Sequence, residues 1–502
     1  MAATGPIVGL DNNGPAGNDT PSHQAHAALY DNLMFFRWPN TVEASAAALA
    51  ESETSLADYA LAESHEVSDD GLVYTFTLRQ GLLSDFGNEL TAEDVVWSFQ
   101  KTFAAGTTPA FINAFIGGIP SPDAVQAVGT HQVQFTLPAP QPRILITNGW
   151  LSGGQHIYDS TEAQKHATED DPYAFDWLDK NGAGFGPYRI IDFGAGGEEI
   201  TYEVREGYWG GPQIANRVVQ QSIPEAGSRA QLVITGDAHH APALTPLQLE
   251  DVEASDNATV THVDNSTSIM LTLTQQPPWG DPAIRQAMAR AIPYNDILEA
   301  VYRGRAQPWL SILQPFVAGY TDEFWNYETD LEAARSVLAN TDLPPITLAY
   351  SEGFPADEQV GLIVQAALNE AGMEVELDKQ PASVFAPARF TQGNPFAVDG
   401  ILTPGVAAAD YYFLLYGTAN GFFNLHKYSN PEFEHVYSDS LSTDAATKSA
   451  AIRRGQEILM HDLVVIPIAW TGKDEAHANF LELPYTHTAN GDTFFRWFKP
   501  AA

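Results

Sequence analysis

Between residues 347 and 377 the chain reads as strand, helix, strand: Thr347 to Tyr350, then Gln359 to Ala371, then Met373 to Leu377. Such a unit builds a parallel sheet with a right-handed crossover, because a twisted strand feeding a helix packs back onto its sheet in that hand only. This commits the chain to an α/β architecture with helices laid against a sheet. The rest of the sequence alternates in the same irregular way. Val73 to Leu78, Gln132 to Leu137 and Ile200 to Val204 alternate apolar and polar residues at period two and predict strands, and Pro6 to Leu10 is strand-like. Thr91-Ala92-Glu93-Asp94 ahead of Val95 is a capping-box variant that starts a helix. Pro282 to Ala291 carries Ile284, Met288 and Ala291 on one face with Pro282 in the first turn, and predicts a helix. Lys448 to His461 predicts another, followed by the apolar strand Leu463 to Trp470. Ala44 to Ala50 reads as a surface helix or loop.

There is no repeat and no low-complexity linker in the 502 residues. A body whose lobes exchange the chain more than once fits this better than separate domains on a string. The chain holds 24 Lys and Arg against 63 Asp and Glu, a net charge of −39, so phosphates are repelled over most of its surface and nucleic acid is excluded as a general partner. The absence of cysteine removes disulfides, thiol catalysis and thiolate metal sites. No stretch approaches the ~18 apolar residues of a membrane span. Met1 to Gly9 lacks the basic and apolar regions of a signal peptide.

Catalytic signatures are missing: no G-x-S-x-G, H-E-x-x-H or phosphate-binding G-x-x-x-x-G-K-[ST] occurs. Gly182 to Pro187 looks like a nucleotide loop, yet Pro187 and a strand follow it where a helix N-terminus is needed, so a tight turn is expected. His239-His240 has no spaced carboxylate or third histidine and is expected to face solvent. No metal and no cofactor is expected.

A series of phrases in fixed order carries more. Leu61-Ala62-Glu63-Ser64 runs through Asp69-Asp70-Gly71 and Tyr74-Thr75-Phe76 to Leu90-Thr91-Ala92-Glu93-Asp94-Val95-Val96-Trp97-Ser98. Gly184-Phe185-Gly186-Pro187-Tyr188, Arg205-Glu206-Gly207-Tyr208-Trp209, Ile223-Pro224-Glu225-Ala226, Asp281-Pro282-Ala283-Ile284-Arg285 and Tyr428-Ser429-Asn430-Pro431-Glu432-Phe433 follow. Together they resemble the dipeptide- and oligopeptide-type solute-binding proteins of ABC importers, extracellular solute-binding family five. The resemblance implies a two-lobed α/β fold of the periplasmic-binding-protein type (cluster C) with the ligand cleft between lobes. Lobe I would take residues 1–262, with 42–170 as an extra subdomain, and lobe II 263–470, with 471–502 returning to lobe I. It implies an extracytoplasmic, non-enzymatic and monomeric receptor, periplasmic or lipid-anchored at the cell surface. Such a receptor delivers a peptide-like or small organic solute to the ABC permease's transmembrane subunits.

Ligand contacts are expected in loops at the cleft. The Gly- and Asn-rich loop Asp11 to Gly17 offers backbone and amide hydrogen bonds, with Asn13 as its candidate. Trp150 offers a stacking face, and Ser268 lies at the crossing between lobes. The segment Thr403 to Phe413, with Gly405, Asp410, Tyr411 and Tyr412, resembles the loop whose aspartate pairs with the α-ammonium of bound peptides, which would make Asp410 the anchor. It is shorter than the usual loop, which points toward a ligand without a free amine. Phe422, Phe423 and Asn424 add aromatic and amide groups nearby, and Arg389 is the candidate cation for a carboxylate. Two other readings stay open: the same fold serving a small aromatic, amide-type, sugar or opine solute, and, more distantly, a carboxylate-based hydrolase.

Overall fold

Helices in this protein start on short polar side chains that accept the first free amides. Asp281 accepts from Ala283 at 2.9 Å, Asn430 from Glu432 at 3.0 Å and Asp444 from Thr447 at 2.8 Å. At Thr91 the box closes from the other side, with the backbone amide donating to Asp94 at 2.8 Å. The computed structural model describes residues 1–14, 20–39, 54–151, 154–264, 267–352, 354–381, 384–385, 388, 393–400, 408–419, 424, 427–442, 444–487 and 493–501. The Ala44 to Ala50 stretch lies outside them.

The strand–helix–strand unit is present as Ile346–Ser351, Pro355–Glu370 and Val375–Gln380, and the two strands pair in parallel from Ile346 opposite Val375. It forms one flank of a six-stranded mixed sheet. Its order is Gln307–Pro308, Val465–Trp470, Ser268–Leu273, Phe396–Asp399, Ile346–Ser351, Val375–Gln380. Val465–Trp470 and Ser268–Leu273 are buried at every position, as strands covered on both faces must be. Helices Pro282–Ala291, Pro355–Glu370 and Ala445–Asp462 supply much of the surrounding core.

The other half of the molecule rests on smaller sheets. A four-stranded sheet runs Ala2–Ala3, Arg217–Ser222, Glu199–Val204, Tyr188–Phe193. A three-stranded sheet places Lys473–Ala478 between His240–Ala241 and Ala258–Val263. A third, Ala62–Val67, Val73–Leu78, Gln132–Thr136, Val125–Gly129, is antiparallel and packs on the helix Ala92–Ala105. The expected strand at Pro6 to Leu10 is not one. The opening strand is Ala2–Ala3, and Ile7 and Leu10 bond singly to Gly197 and Asp179, because Pro6 and Gly9 interrupt a continuous ladder. Gly182 to Pro187 bends into the strand Tyr188–Phe193 with no helix following: Gly186 donates to Leu29 at 2.9 Å, and a side chain there would sit 2.5 Å from the Ala28 carbonyl.

His240, expected at the surface beside His239, is buried. As part of a strand paired with Ala476 and His477, it turns its Nε2 to within 2.9 Å of Glu475, while His239 stays exposed. Burial alone would raise the pKa of Glu475, but Lys473 and His240 outweigh it and hold the carboxyl down at about 2.

The two halves are the lobes of a two-lobed fold, joined by two antiparallel strands that continue from one sheet into the other. Ala258–Val263 leads to Ser268–Leu273, and Val465–Trp470 leads back to Lys473–Ala478. The crossings run side by side: Thr471 and Gly472 both donate to the Thr267 carbonyl, at 3.1 and 3.2 Å.

Candidate ligand cleft

The helix Ala409–Tyr416 begins with Asp410 in its first turn and buries Tyr411, Tyr412, Phe413 and Tyr416. A carboxylate there is favoured by the positive end of the helix. Asp410 does not face an empty space. Arg143, in the segment leading into the short helix Ile144–Thr147, reaches it from the other lobe with Nη1 2.7 Å from Oδ2 and Nη2 2.9 Å from Oδ1. The side chains are 12% and 5% exposed, so this two-pronged pair is formed largely out of water. Tyr437 lies close by. Burial first, and the Asp410 charge second, push its hydroxyl pKa up to about 12. Tyr411 is raised by burial against the opposing effect of Arg143.

Ser268, Gln314 and Tyr412 form a buried chain from the crossing to the same helix. Gln314 donates to the Ser268 hydroxyl at 3.3 Å and accepts a short hydrogen bond from Tyr412. Trp150 belongs to the large buried cluster that also holds Tyr411 and Tyr412, together with Phe36, Ile112, Ile116 and Ile146 from its own lobe. Trp150 thus shares a buried cluster with Tyr411 and Tyr412, and Ser268 reaches Tyr412 through Gln314.

Asn13 and Asn424 are engaged differently. Asn13 accepts from Lys101 at 3.1 Å and Thr102 at 3.2 Å inside its own lobe, while its backbone amide donates to Asp11 at 3.0 Å. Asn424 closes its own loop, donating to Tyr428 at 2.7 Å and accepting from the Tyr428 amide at 2.9 Å. Arg389, Gly405, Phe422 and Phe423 lie outside the described residues.

Further polar residues of the first lobe bond to one another across segments. Asn12 donates to Gly154 at 2.8 Å, Asn113 to Gln155 at 2.8 Å, and Gln155 to His156 at 2.9 Å. His156 in turn meets Asn32 at 2.9 Å. All are buried. Spacing gives no signal for them, because Asn12, Asn32, Asn113 and the neighbours Gln155 and His156 come from separate segments. Tyr208 and Trp209 both donate to Asp31, at 3.0 and 2.7 Å, and Arg496 holds the other carboxylate oxygen at 2.5 Å.

A cavity of about 250 Å³ opens at the crossings, lined by His262, Asp264, Arg305, Gln307, Trp470 and Asp474 among others. His262 Nδ1 sits 2.9 Å from Asp474, and that hydrogen bond raises the imidazole pKa above 6.5. Among the described residues no helix is long and apolar enough to cross a membrane, and no group of three or more His, Asp or Glu side chains is arranged to hold a metal ion.

Comparison with known proteins agrees with this architecture. The chain is 26% identical over 414 residues to a probable D,D-dipeptide-binding periplasmic protein of Escherichia coli K12, covering 81% of this chain and 78% of that one. An ABC transporter-associated periplasmic binding protein of Helicobacter pylori, solved with the peptide STSA, superposes with a TM-score of 0.82 at 22% identity, covering 100% of this chain and 97% of that one. A binding protein of A. tumefaciens R10 solved with mannopinic acid gives a TM-score of 0.81 at 19% identity, with 100% and 98% covered. The model of the bacterial extracellular solute-binding proteins, family 5, matches residues 58–424. With its lobes, its paired crossings and this match, the chain belongs to the bacterial extracellular solute-binding proteins, family 5.

Proposed function

We propose that the chain captures a peptide-like or small organic solute by closing two lobes over it, and delivers it outside the cytoplasm to the transmembrane subunits of an ABC importer. The lobes would be residues 1–262 with the return segment 471–502, and residues 263–470, with 42–170 forming an extra subdomain. The observation that carries this reading is the pair of crossings bonded to each other at Thr267 and Thr471–Gly472. Two adjacent strands are a simple bending element, and everything on either side moves with its own sheet. The protein acts as a monomer and releases its solute unchanged. It reaches the periplasm or a lipid-anchored place at the cell surface.

The test is a thermal-shift screen of peptides, aromatic acids and amides, sugars and opines, followed by small-angle scattering with each hit. A solute at a hundred times its dissociation constant adds ~2.7 kcal/mol of stability and is readily seen. A hit that also compacts the protein and is recovered intact supports the reading. Conversion of the hit to product, or unchanged scattering at saturation, overturns it.

A second reading replaces the peptide by a small aromatic, amide-type, sugar or opine solute. It is supported by the state of Asp410, whose two oxygens are already held by Arg143. The A. tumefaciens protein with mannopinic acid is an example of the same fold taking such a molecule.

A further inference from the structure

We propose that Arg143 is a specificity-determining residue: by holding both oxygens of Asp410 it withdraws the acidic group from the solute, so the cleft selects solutes that bring no free ammonium to that position. The inference rests on the solute-binding reading above and names the class of solute. Asp410 is the acid that the family resemblance would make an ammonium anchor, and a guanidinium from the opposite lobe already holds both its oxygens, at 2.7 and 2.9 Å.

An incoming ammonium must displace Arg143 and leave a buried guanidinium without its partner. Breaking one side of a buried pair is far more costly than the exchange returns. A planar fork also matches a carboxylate better than a single ammonium does. Two further buried cations of the first lobe are paired in the same way: Lys101 lies 2.6 Å from Asp11, and Arg496 2.5 Å from Asp31.

Besides carboxylate oxygens of Asp179 and Glu475, the first lobe leaves neutral buried acceptors over. The side-chain oxygens of Asn12, Asn113 and Asn148 are buried and accept no hydrogen bond from the protein. Asn12 and Asn113 are joined through Gly154 and Gln155, and Asn148 lies two residues from Trp150. Buried acceptors of this kind favour a partner that donates from hydroxyl or amide groups. The chemistry that fits is an amine-blocked or amine-free solute rich in neutral donors.

The test uses two probes that differ only at the N-terminus, the dipeptide Met-Leu and its N-acetyl form, titrated calorimetrically into the full chain. The wild type should prefer the acetylated probe by about tenfold or more, a factor that corresponds to ~1.4 kcal/mol. Arg143→Gln should release Asp410 and reverse the order in favour of the free amine. Arg143→Gln combined with Asp410→Asn should lose that gain. Arg143→Lys, which keeps a cation opposite Asp410, should keep the wild-type order and separates loss of the charge from loss of the fold. A wild-type preference for the free amine overturns the proposal, and so does an Arg143→Gln variant that gains no affinity for it. Failure of the solute-binding reading is seen elsewhere, as a wild type that no compound in the broad screen stabilises.

Discussion

Lys101 and Asp11 form an ion pair with both carboxylate oxygens within 2.7 Å of the ammonium, and the side chains are 0% and 1% exposed. The pair is further enclosed by Tyr158, whose hydroxyl donates to Asp11 at 2.9 Å, and by the ring of Phe175 4.3 Å from the ammonium. Burial lowers the Lys101 pKa from 10.5 against the pull of Asp11. Because Asp11 starts the loop that carries Asn12 and Asn13, the pair ties that loop to the helix Ala92–Ala105. Lys101→Met is expected to cost roughly 3–5 kcal/mol, as removal of one partner strands a buried charge. Asp11→Asn with Lys101→Met should recover part of that loss. Chemical denaturation of the two variants measures the difference, and equal losses would show that the charges do not interact.

A pH dependence follows from His26. It is fully buried between His23 and His156, and burial, then repulsion from His23, lowers its pKa from 6.5 to about 3. The folded protein therefore carries it neutral while the unfolded chain takes up a proton below 6.5. The unfolded state binds more protons, so stability falls as pH drops from 6.5 toward 3 and is unaffected above that window. One such group contributes a slope of roughly 1 kcal/mol per pH unit. His26→Gln should flatten this part of the profile, measured as denaturation midpoints at neutral and mildly acidic pH. An unchanged slope would place the proton uptake on another histidine.

Across the lobes, Arg303 grips Glu250 at 2.6 and 2.9 Å and Arg305 reaches Glu253 at 2.6 Å. The first pair is exposed on both sides, so it contributes little to stability. Their effect is on geometry, since they join the helix Pro246–Glu253 of one lobe to the loop before Gln307–Pro308 of the other. Replacing both arginines with alanine is expected to leave the melting temperature nearly unchanged but to enlarge the unliganded radius of gyration. High salt should reproduce the expansion in the wild type and add nothing to the variant.

The sequence makes the frame more legible than the site, for a physical reason. Periodicity and caps act within a few residues, and they mark Pro282–Ala291 at both ends and Val73–Leu78 to the residue. Asp410 stands out because it lies in a contiguous loop phrase. Its partner does not: Arg143 is 267 positions away, in a segment whose own pattern gives only a short helix. His240 illustrates the same limit. Its neighbours give no cue to burial, which comes from pairing with a strand 236 positions on, at Ala476–His477. Asn13 reads as a loop donor, yet its acceptor atom answers to Lys101, 88 positions away.

Gly472 lies in the bending element, bonded to Thr267 of the other crossing. Its φ of 57° is left-handed, a region open to glycine and strained for other residues. There is also no room for a side chain. A Cβ would lie 2.7 Å from the His262 ring and 2.8 Å from the Val263 carbonyl. The ring belongs to a side chain that can move, but the carbonyl belongs to the neighbouring crossing and moves only if that crossing does. Gly472→Ala is therefore expected to push the two strands apart where they pass between the lobes, at a cost of at least about 1 kcal/mol. If lobe closure bends here, the variant should bind solute more weakly and show a smaller change in scattering on binding. Its core sheets should remain intact by far-ultraviolet circular dichroism. Wild-type affinity and an undiminished scattering change in a variant of reduced stability would place the bend away from residues 471–472.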